Sequence, residues 1–295
     1  MMEQKKKVLF VATVVKTHIN TFHLPFLKMF KEYGWEVHVA AKNDFVDEPC
    51  VIPNCDRHFD IDFARSPFSK SNIKAYKQLK QIIETNHYDI IHCHTPVAGM
   101  LTRLAARTAK GTTVIYTAHG FHFYQGAPLI NWLVYYPVER VCGKFTDKLI
   151  TINQEDYHRA NSWSLRNNGK IYYVPGIGVD LEEIQNISIN KVQKKKEIGI
   201  SNDVKVLLSV GELNKNKNHE IIIRVLSKLT NKNFIYLICG NGELKEYLKN
   251  LAKELGVSDK VKFLGYRKDV LEIYKIADLF LFPSKREGLP CSLIE

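Results

Sequence analysis

The sequence lacks any C-x-x-C pair, and none of its apolar runs approaches the roughly 20 residues that span a bilayer. Its six cysteines are scattered along 295 residues, which predicts reduced thiols, a cytoplasmic location and no structural zinc site. With 16 glycines and 10 prolines, the chain is also unlike collagen or a low-complexity protein. These absences favour an ordinary folded protein that meets a membrane, if at all, from the surface.

Positively charged residues are in excess: 42 Lys and Arg residues against 31 Asp and Glu residues leave a net charge of +11. A basic surplus favours phosphate groups, nucleic acid or anionic lipid as partners without choosing among them. The sequence shows no module of mixed aromatic and basic residues, so nucleic acid is not an expected partner. The lysines at 5–7 leave open a peripheral contact with a membrane, whereas the apolar stripe at 129–137 fits a packed helix better.

Short β-branched runs alternate with segments of helical spacing through the first half of the chain. This alternation predicts parallel strands with right-handed crossovers, and therefore a doubly wound α/β sheet. The predicted strands are 8–15, 36–41, 58–63, 89–94, 113–119, 148–152 and 170–174, and the predicted helices are 20–33, 72–84, 97–109, 129–141 and 154–161.

A polar, charged stretch at 179–203 interrupts the alternation, and we place a domain boundary there. The boundary divides a first Rossmann-like domain, residues 1–185, from a second one, residues 186–295. A doubly wound dinucleotide-type sheet has about six strands, and the second half supplies four, so we expect a C-terminally incomplete chain. The strands predicted in the second half are 205–210, 234–239, 262–264 and 279–282, with helices at 218–229, 243–255 and 270–277.

Parallel sheets bind ligands at the carboxyl ends of their strands. Glycine lets backbone N–H groups approach an anion, a helix start adds a positive dipole end, and Lys or Arg neutralises charge. This combination suits a diphosphate. Taken alone, the Gly240-x-Gly242 pair is explained equally well by a plain turn, and Lys215 and Lys217 are explained better by a solvated loop. The combination recurs where the predicted strands of the second half end, in the segments 211–219, 240–243, 265–267 and 283–290.

Two carboxylates flank the start of the last predicted helix. Pro290 fits the first helical position, which leaves Glu287 in the preceding loop and Glu295 about a turn and a half inside the helix. Carboxylates at these points can accept hydrogen bonds from the hydroxyls of a sugar-like polyol, while the N–H groups of Gly288 and Leu289 remain for phosphate. The alternative is that each acid only complements the helix dipole.

The segment 282–295, FPSKREGLPCSLIE, resembles the E-x7-E signature of the retaining glycosyltransferases of family 4. The resemblance implies a GT-B-like α/β fold, with two Rossmann-type domains facing a cleft and the second domain incomplete. It also implies an enzyme of bacterial capsule, exopolysaccharide or lipid-linked glycan assembly. Further matches follow in order along nearly the whole chain: DIIHCHTP (89–96), TAHG (117–120), LITINQED (149–156), VPGIGVD (174–180) and the segment 211–219.

The resemblance implies roles at the reacting end of a nucleotide-sugar donor. Glu287, with the backbone of Gly288 and Leu289, would lie at the donor sugar and its phosphates. Lys217 would bind the diphosphate and the charge of the leaving group, in a loop that Gly211 opens. An acceptor hydroxyl would attack the anomeric carbon with retention of configuration, without a carboxylate nucleophile and without a cofactor or metal ion.

The resemblance also assigns the nucleoside and the acceptor. Glu295 would bind the ribose hydroxyls, and the backbone at Tyr266 and Arg267 would line the base, which in this family is most often uracil. His119, in the first domain, would face the donor sugar, and its neighbouring backbone would help to position the acceptor. The implied acceptor is a glycan or a lipid-linked saccharide.

Two positions depart from the family's pattern. Members usually have arginine after the glycine that opens the phosphate loop, whereas this chain has Glu212, and Lys215 is a candidate substitute. Many members also have a Gly-Gly pair after the first strand, where this chain reads Val15-Lys-Thr-His18. We hypothesise that Lys16 or His18 serves the same phosphate.

Two patterns are typical of metal sites, and we favour a metal at neither. Asp60-Ile-Asp62 matches the D-x-D that binds a divalent cation in the other large glycosyltransferase fold, but a surface strand end explains it more simply. His92 and His94 share one face of a strand, and without a third ligand nearby in the sequence we expect them to be packed histidines.

Two other classes of function stay open. A sugar-nucleotide epimerase shares the twin-domain architecture, and product analysis without an acceptor would distinguish it from a transferase. A non-catalytic fragment is the second alternative, because a sheet of four strands would leave an exposed edge.

Overall fold

The computed structural model describes residues 5–46, 48–64, 66–176, 178–179, 181–230, 233–287 and 290–295. Its contacts divide the chain into two compact units, residues 1–177 and 178–295. The boundary that the sequence places after residue 185 falls a few residues later, within a helix of the second unit. Every helix in the described ranges is too short or too polar to cross a membrane.

The first unit is built on a sheet of seven parallel strands in the order β3-β2-β1-β4-β5-β6-β7. Its middle strands are buried on both faces, as the continuous apolar runs predict; residues Val8 to Ala12 are fully buried. All seven predicted strands are confirmed. They are β1 (Lys7–Val14), β2 (Glu36–Lys42), β3 (Arg57–Asp60), β4 (Ile90–His94), β5 (Thr113–Ala118), β6 (Lys148–Thr151) and β7 (Lys170–Tyr173).

The order of strands in this sheet reverses at β1 and β4, which are neighbours although two strands separate them in sequence. Such a switch point is where ligands bind in doubly wound sheets. After β1 the chain forms one π-helical turn, Val15–Ile19, instead of entering an α-helix directly. The helices of the unit are α1 (Asn20–Phe22), α2 (Leu24–Glu32), α3 (Ser71–Asn86), α4 (Pro96–Ala105), α5 (Leu129–Gly143) and α6 (Gln154–Ala160).

The second unit contains four parallel strands in the order β10-β9-β8-β11, each of them at a predicted position. Two helices, α7 (Leu181–Asn186) and α8 (Lys191–Ile198), lie in the polar stretch that predicts only an interruption. The strands are β8 (Lys205–Val210), β9 (Phe234–Cys239), β10 (Val261–Gly265) and β11 (Leu279–Phe280), and the remaining helices are α9 (His219–Ser227), α10 (Lys245–Glu254), α11 (Val270–Ile276) and α12 (Cys291–Ile294).

A buried lysine explains how the polar helix α8 packs on the sheet. Lys194 is only 6% exposed, and its ammonium lies 2.5 Å from Asp269, 2.6 Å from Glu272 and 3.2 Å from Glu197. Arg267 also binds Asp269 through two nitrogens, at 2.7 and 2.6 Å. Charges taken out of water are tolerated only when they are paired in this way, so the network holds α8 against the start of α11.

This network predicts an acid-dependent loss of stability. Hydrogen bonds from Arg267 and then Lys194 hold the pKa of Asp269 below its ordinary value of 3.8. A depressed folded-state pKa contributes stability above about pH 4 that is lost as the pH falls further. We expect Asp269→Asn to cost about 2 kcal/mol at pH 7, and the difference from the wild type to shrink below pH 4.

Urea denaturation at several pH values measures this effect. Asp259→Asn is the matched control, because the Asp259 side chain is 71% exposed and its change should cost almost nothing at any pH. A deficit of Asp269→Asn that stays constant down to pH 2 would contradict the assignment.

Candidate active site

Loops at the carboxyl edge of the second sheet touch through their backbones. Gly240 follows β9, and a Cβ atom there would lie 2.0 Å from the carbonyl oxygen of Gly211, which follows β8. Gly242 is similarly confined, because its Cβ would lie 2.5 Å from the carbonyl oxygen of Leu213. The Leu213 N–H donates to the carbonyl oxygen of Asn241 at 2.9 Å. Both glycines are therefore required by the packing of one loop on another, and they fix the loop after β8.

Lys217 lies on these two packed loops after β8 and β9, which we call the platform. A Cβ atom at Gly211 would be 3.1 Å from the Cδ and Cε atoms of Lys217, so the bare glycine makes room for the lysine stem. The ammonium lies 2.8 Å from the Glu287 carboxylate, and the two side chains are 20% and 21% exposed. The ring of Phe282 is 5.6 Å from the same ammonium. Because water is partly excluded, the ion pair is stronger than one on an open surface.

Asparagine side chains hold the two partners of this pair in place. Asn214 accepts hydrogen bonds from the N–H groups of Asn216 and Lys217, at 3.0 and 2.9 Å. The Asn216 amide donates to the carbonyl oxygen of Arg286 at 2.7 Å and lies 3.4 Å from the Glu287 carboxylate. The loop after β8 is thereby tied to the loop after β11, which brings together two residues that are 70 positions apart in sequence.

A buried histidine follows Lys217 at the start of α9. The Nδ1 atom of His219 lies 3.3 Å from the Tyr236 hydroxyl, which in turn binds the Ser209 hydroxyl at 2.8 Å. Burial, and to a lesser degree the charge of Lys217, lower the pKa of His219 to about 4. His219 is therefore neutral at pH 7, and Lys217 supplies the positive charge at this helix start.

Glu212, which replaces the family's arginine, has a local partner. Its carboxylate accepts a hydrogen bond from the Asn214 amide at 3.0 Å. Glu212 thus supports the asparagine that positions Lys217. Lys215, the candidate substitute for the arginine, is exposed in the same loop.

The residues expected at the nucleoside lie along the same sheet edge. Tyr266 follows β10 and is 59% exposed, whereas the Arg267 side chain is turned to Asp269 in the network described above. Glu295 follows α12, and its carboxylate adds to burial in raising the pKa of Tyr274. Helix α12 begins at Cys291, one residue later than predicted, with Pro290 preceding it.

Gly288 and Leu289, whose N–H groups the sequence assigns to phosphate, lie outside the described residues.

In the first unit, the loop that carries His119 is held by the start of α6. The Asp156 carboxylate accepts hydrogen bonds from the Phe121 N–H and from the Asn153 amide, both at 2.8 Å. Asn153 in turn caps the helix by accepting from the Asp156 N–H. The motif LITINQED therefore holds in place the loop that contains the motif TAHG. Neither motif predicts this contact by itself.

Four histidines meet at the carboxyl edge of the first sheet. They are His18, His23, His94 and His119, and a ligating atom of each lies within 4.8 Å of one from every other. The Nδ1 atom of His94 is 3.4 Å from the Nε2 atom of His119. The sequence analysis did not identify His23, because it considered a histidine metal site only at His92 and His94. Three residues of the cluster lie in segments that the motifs had already singled out, and the H-x4-H spacing at 18–23 was the available signal.

The histidines of this cluster are neutral at pH 7. Burial is the main cause, and it lowers the pKa of His18 to about 3, of His23 to about 2 and of His119 to about 4. Burial, then the neighbouring histidines, also bring the pKa of His94 far below its ordinary value. His92 adjoins the set, with its ring centroid 4.2 Å from that of His94, but its Nε2 atom faces the Thr117 hydroxyl at 2.9 Å.

Lys16, a hypothetical phosphate ligand, lies in the π-helical turn beside His18. Its ammonium pairs with Glu48 at 2.7 Å, and its N–H donates to the Asp44 carboxylate at 2.6 Å. The ammonium therefore already has a carboxylate partner, which a phosphate would have to displace.

The D-x-D pair is engaged at the end of β3. Asp60 accepts a hydrogen bond from the Asn43 N–H at 2.9 Å, and Asp62 pairs with Lys42 at 2.6 Å. These contacts agree with the interpretation of the pair as a strand end.

Known protein families match both parts of the chain. Residues 190–295 match the family model described as "Glycosyl transferases group 1", and residues 7–153 match "Glycosyl transferase 4-like". EpsD of Bacillus subtilis (strain 168), a glycosyltransferase by name, is 44% identical over 295 residues, which cover 98% of this chain and 76% of EpsD.

Two more proteins add detail to the comparison. The UDP-Gal:alpha-D-GlcNAc-diphosphoundecaprenol alpha-1,3-galactosyltransferase of Escherichia coli is 34% identical over 77% of this chain and 58% of its own length. Among solved structures, HepE of Anabaena in complex with UDP and glucose superposes with a TM-score of 0.72 at 20% identity, covering 96% of this chain and 76% of HepE. At that identity the likeness shows the fold alone.

The platform under Lys217 predicts that Gly240 is more sensitive to a side chain than an ordinary glycine of positive φ. Gly240 (φ +142°) would place a Cβ against backbone, whereas a Cβ at Gly256 (φ +67°) would meet open space. We expect Gly256→Ala to cost about 1–2 kcal/mol from backbone strain alone, and Gly240→Ala to cost clearly more. Urea denaturation measures both free energies of unfolding, and equal losses would show that the close approach of the loops contributes nothing.

Proposed function

The chain belongs to the group 1, family 4-like glycosyltransferases, and we propose that it is a retaining hexosyltransferase of bacterial surface polysaccharide synthesis. The donor in this proposal is a UDP-linked sugar, and the acceptor is a glycan or a lipid-linked saccharide. The substrates in the name of the Escherichia coli relative support this choice, as do the UDP and glucose bound to HepE. The excess of positive charge suits both a diphosphate and an anionic membrane on whose inner face the enzyme could work.

The observation that carries the proposal is the ion pair between Lys217 and Glu287. A nucleoside diphosphate bears more negative charge than one carboxylate, so it competes well for an ammonium that is still 20% exposed. When the phosphate takes Lys217, the Glu287 carboxylate is released to accept hydrogen bonds from the sugar hydroxyls. Lys217 can therefore bind the phosphate and Glu287 the sugar, starting from the ion pair that they form in this structure.

Lys217 suits the electrostatic part of the reaction. Negative charge grows on the leaving phosphate as the bond to the anomeric carbon breaks, and a cation fixed in advance stabilises that charge without reorganising. The hydrogen bond from the Lys217 backbone N–H to Asn214 fixes the main chain, and the packing of the lysine stem against Gly211 directs the side chain. In same-face attack the departing phosphate oxygen takes the acceptor proton, so Glu287 binds the sugar and is not a nucleophile.

The proposal includes no divalent cation at the diphosphate. The acids of the two described loops that meet here have partners within the protein: Glu287 contacts Lys217, and Glu212 contacts Asn214. A lysine and backbone N–H groups then neutralise the phosphates in place of magnesium or manganese. Tyr266 at the base and Glu295 at the ribose complete the proposed donor site of the second unit.

We expect Lys217→Ala to weaken UDP binding and to lower sugar transfer at least about 100-fold, because the leaving phosphate loses its cation. Glu287→Ala should keep UDP binding while transfer falls by a similar factor, because only the sugar loses its ligand. Calorimetric titration with UDP measures the first quantity, and UDP release with a panel of UDP-sugars and lipid-linked acceptors measures the second.

Lys249→Ala is the matched control, since it removes a lysine from an exposed pair with Glu246 in α10. It should leave both quantities unchanged, and circular dichroism should show all three variants folded. Undiminished transfer by Lys217→Ala or Glu287→Ala would refute the site.

A further inference from the structure

We propose that His18, His23, His94 and His119 form a binding site for a divalent transition-metal ion of the zinc type. The site lies wholly in the first unit, where the π-helical turn after β1, the end of β4 and the loop after β5 come together at the switch point of the sheet. Its four imidazoles come from three separate segments, with His18 and His23 in the same one, and the fold brings their ligating atoms within 4.8 Å of one another.

Unsatisfied buried nitrogens are the second observation. Within the described residues, both ring nitrogens of His23, the Nε2 atom of His94 and the Nε2 atom of His18 are buried without a hydrogen-bond partner. His23 and His94 are 2% and 1% exposed. A buried polar group without a partner destabilises the folded state, and proteins rarely leave one unsatisfied unless a water molecule or an ion is bound there. A metal ion would satisfy the buried nitrogen of His18 and one of the two on His23, whereas His94 would bind through Nδ1, the atom that faces His119.

The distances are compatible with a tetrahedral site. Zinc–nitrogen bonds of about 2.0–2.1 Å put the ligand atoms roughly 3.3–3.4 Å apart. The Nδ1 atom of His94 and the Nε2 atom of His119 already have this separation, 3.4 Å, and the whole set lies within 4.8 Å and would close in on the ion. His23 stacks on His94 with ring centroids 3.8 Å apart and planes 30° apart, so His23 must turn for both rings to bind one ion. That rotation breaks no hydrogen bond in the described structure, because neither His23 nitrogen has a partner.

The ligand set selects the class of ion. Neutral imidazoles suit Zn²⁺, Co²⁺, Ni²⁺ and Cu²⁺, whereas Mg²⁺ and Ca²⁺ require oxygen ligands. The proposed ion is therefore different in kind and in place from a magnesium or manganese ion on a diphosphate. A bound ion would take the lone pair of His119, the histidine that the resemblance assigns to the donor sugar. The existence of the metal site does not depend on the transferase proposal.

Cobalt substitution tests the site directly. The protein is stripped with a chelator and titrated with Co²⁺, while the visible absorption of tetrahedral cobalt and the thermal midpoint are followed. We expect one ion per chain, intense tetrahedral bands, displacement by Zn²⁺ and a raised thermal midpoint, because an ion that binds only the folded state stabilises it. Mg²⁺ should produce none of these changes.

His18→Gln and His158→Gln form the decisive pair of variants. His18 lies in the cluster and is partly exposed, whereas His158 is an exposed histidine on α6. His18→Gln should lower the Co²⁺ affinity at least about 10-fold, and His158→Gln should not change it. Absence of tetrahedral bands in the wild type, or equal affinity of the two variants, would overturn the proposal. A wild type that binds UDP without tetrahedral cobalt would overturn the metal site alone.

Discussion

The ion pair between Lys217 and Glu287 is the contact on which the proposed chemistry of the second unit depends. It exists because Gly240 lets the loop after β9 lie directly against the loop after β8, and because Asn214 then holds the backbone of Lys217. A cation held in this way is ready for a phosphate before any substrate arrives. The precision of the site thus comes from backbone contact and amide hydrogen bonds, which an E-x7-E motif does not contain by itself.

The first unit uses the same edge of a parallel sheet for a different set of groups. Where the second unit has a charged pair, the first has neutral, buried imidazoles around His94 and His119. Asp156 keeps the loop of His119 in place through the Phe121 N–H, as the asparagines do for Lys217. In both units, the residues that hold a loop lie in a different motif from the residue that the loop presents.

The sequence predicts the eleven strands well because most are short apolar runs separated by helical segments and turns, and the family and GT-B fold class implied by the ordered motifs are confirmed. Helices α7 and α8 were not predicted because polar residues dominate them. Helix α8 packs through Lys194, and the sequence alone does not distinguish a buried, paired lysine from a solvated one. The contact of Lys217 with Glu287 could not be predicted, since only the fold joins segments 70 residues apart. The spacing of His18 and His23 was visible in the sequence, but their approach to His94 and His119 was not.

The central claim is that a lysine and backbone dipoles, without a divalent cation, hold the diphosphate of the donor. Sugar transfer by the protein in excess chelator tests it most directly, with Mg²⁺, Mn²⁺ and Zn²⁺ added back one at a time. The account predicts that turnover survives chelation and gains nothing from Mg²⁺ or Mn²⁺. Complete loss of turnover, restored only by Mg²⁺ or Mn²⁺, would contradict it.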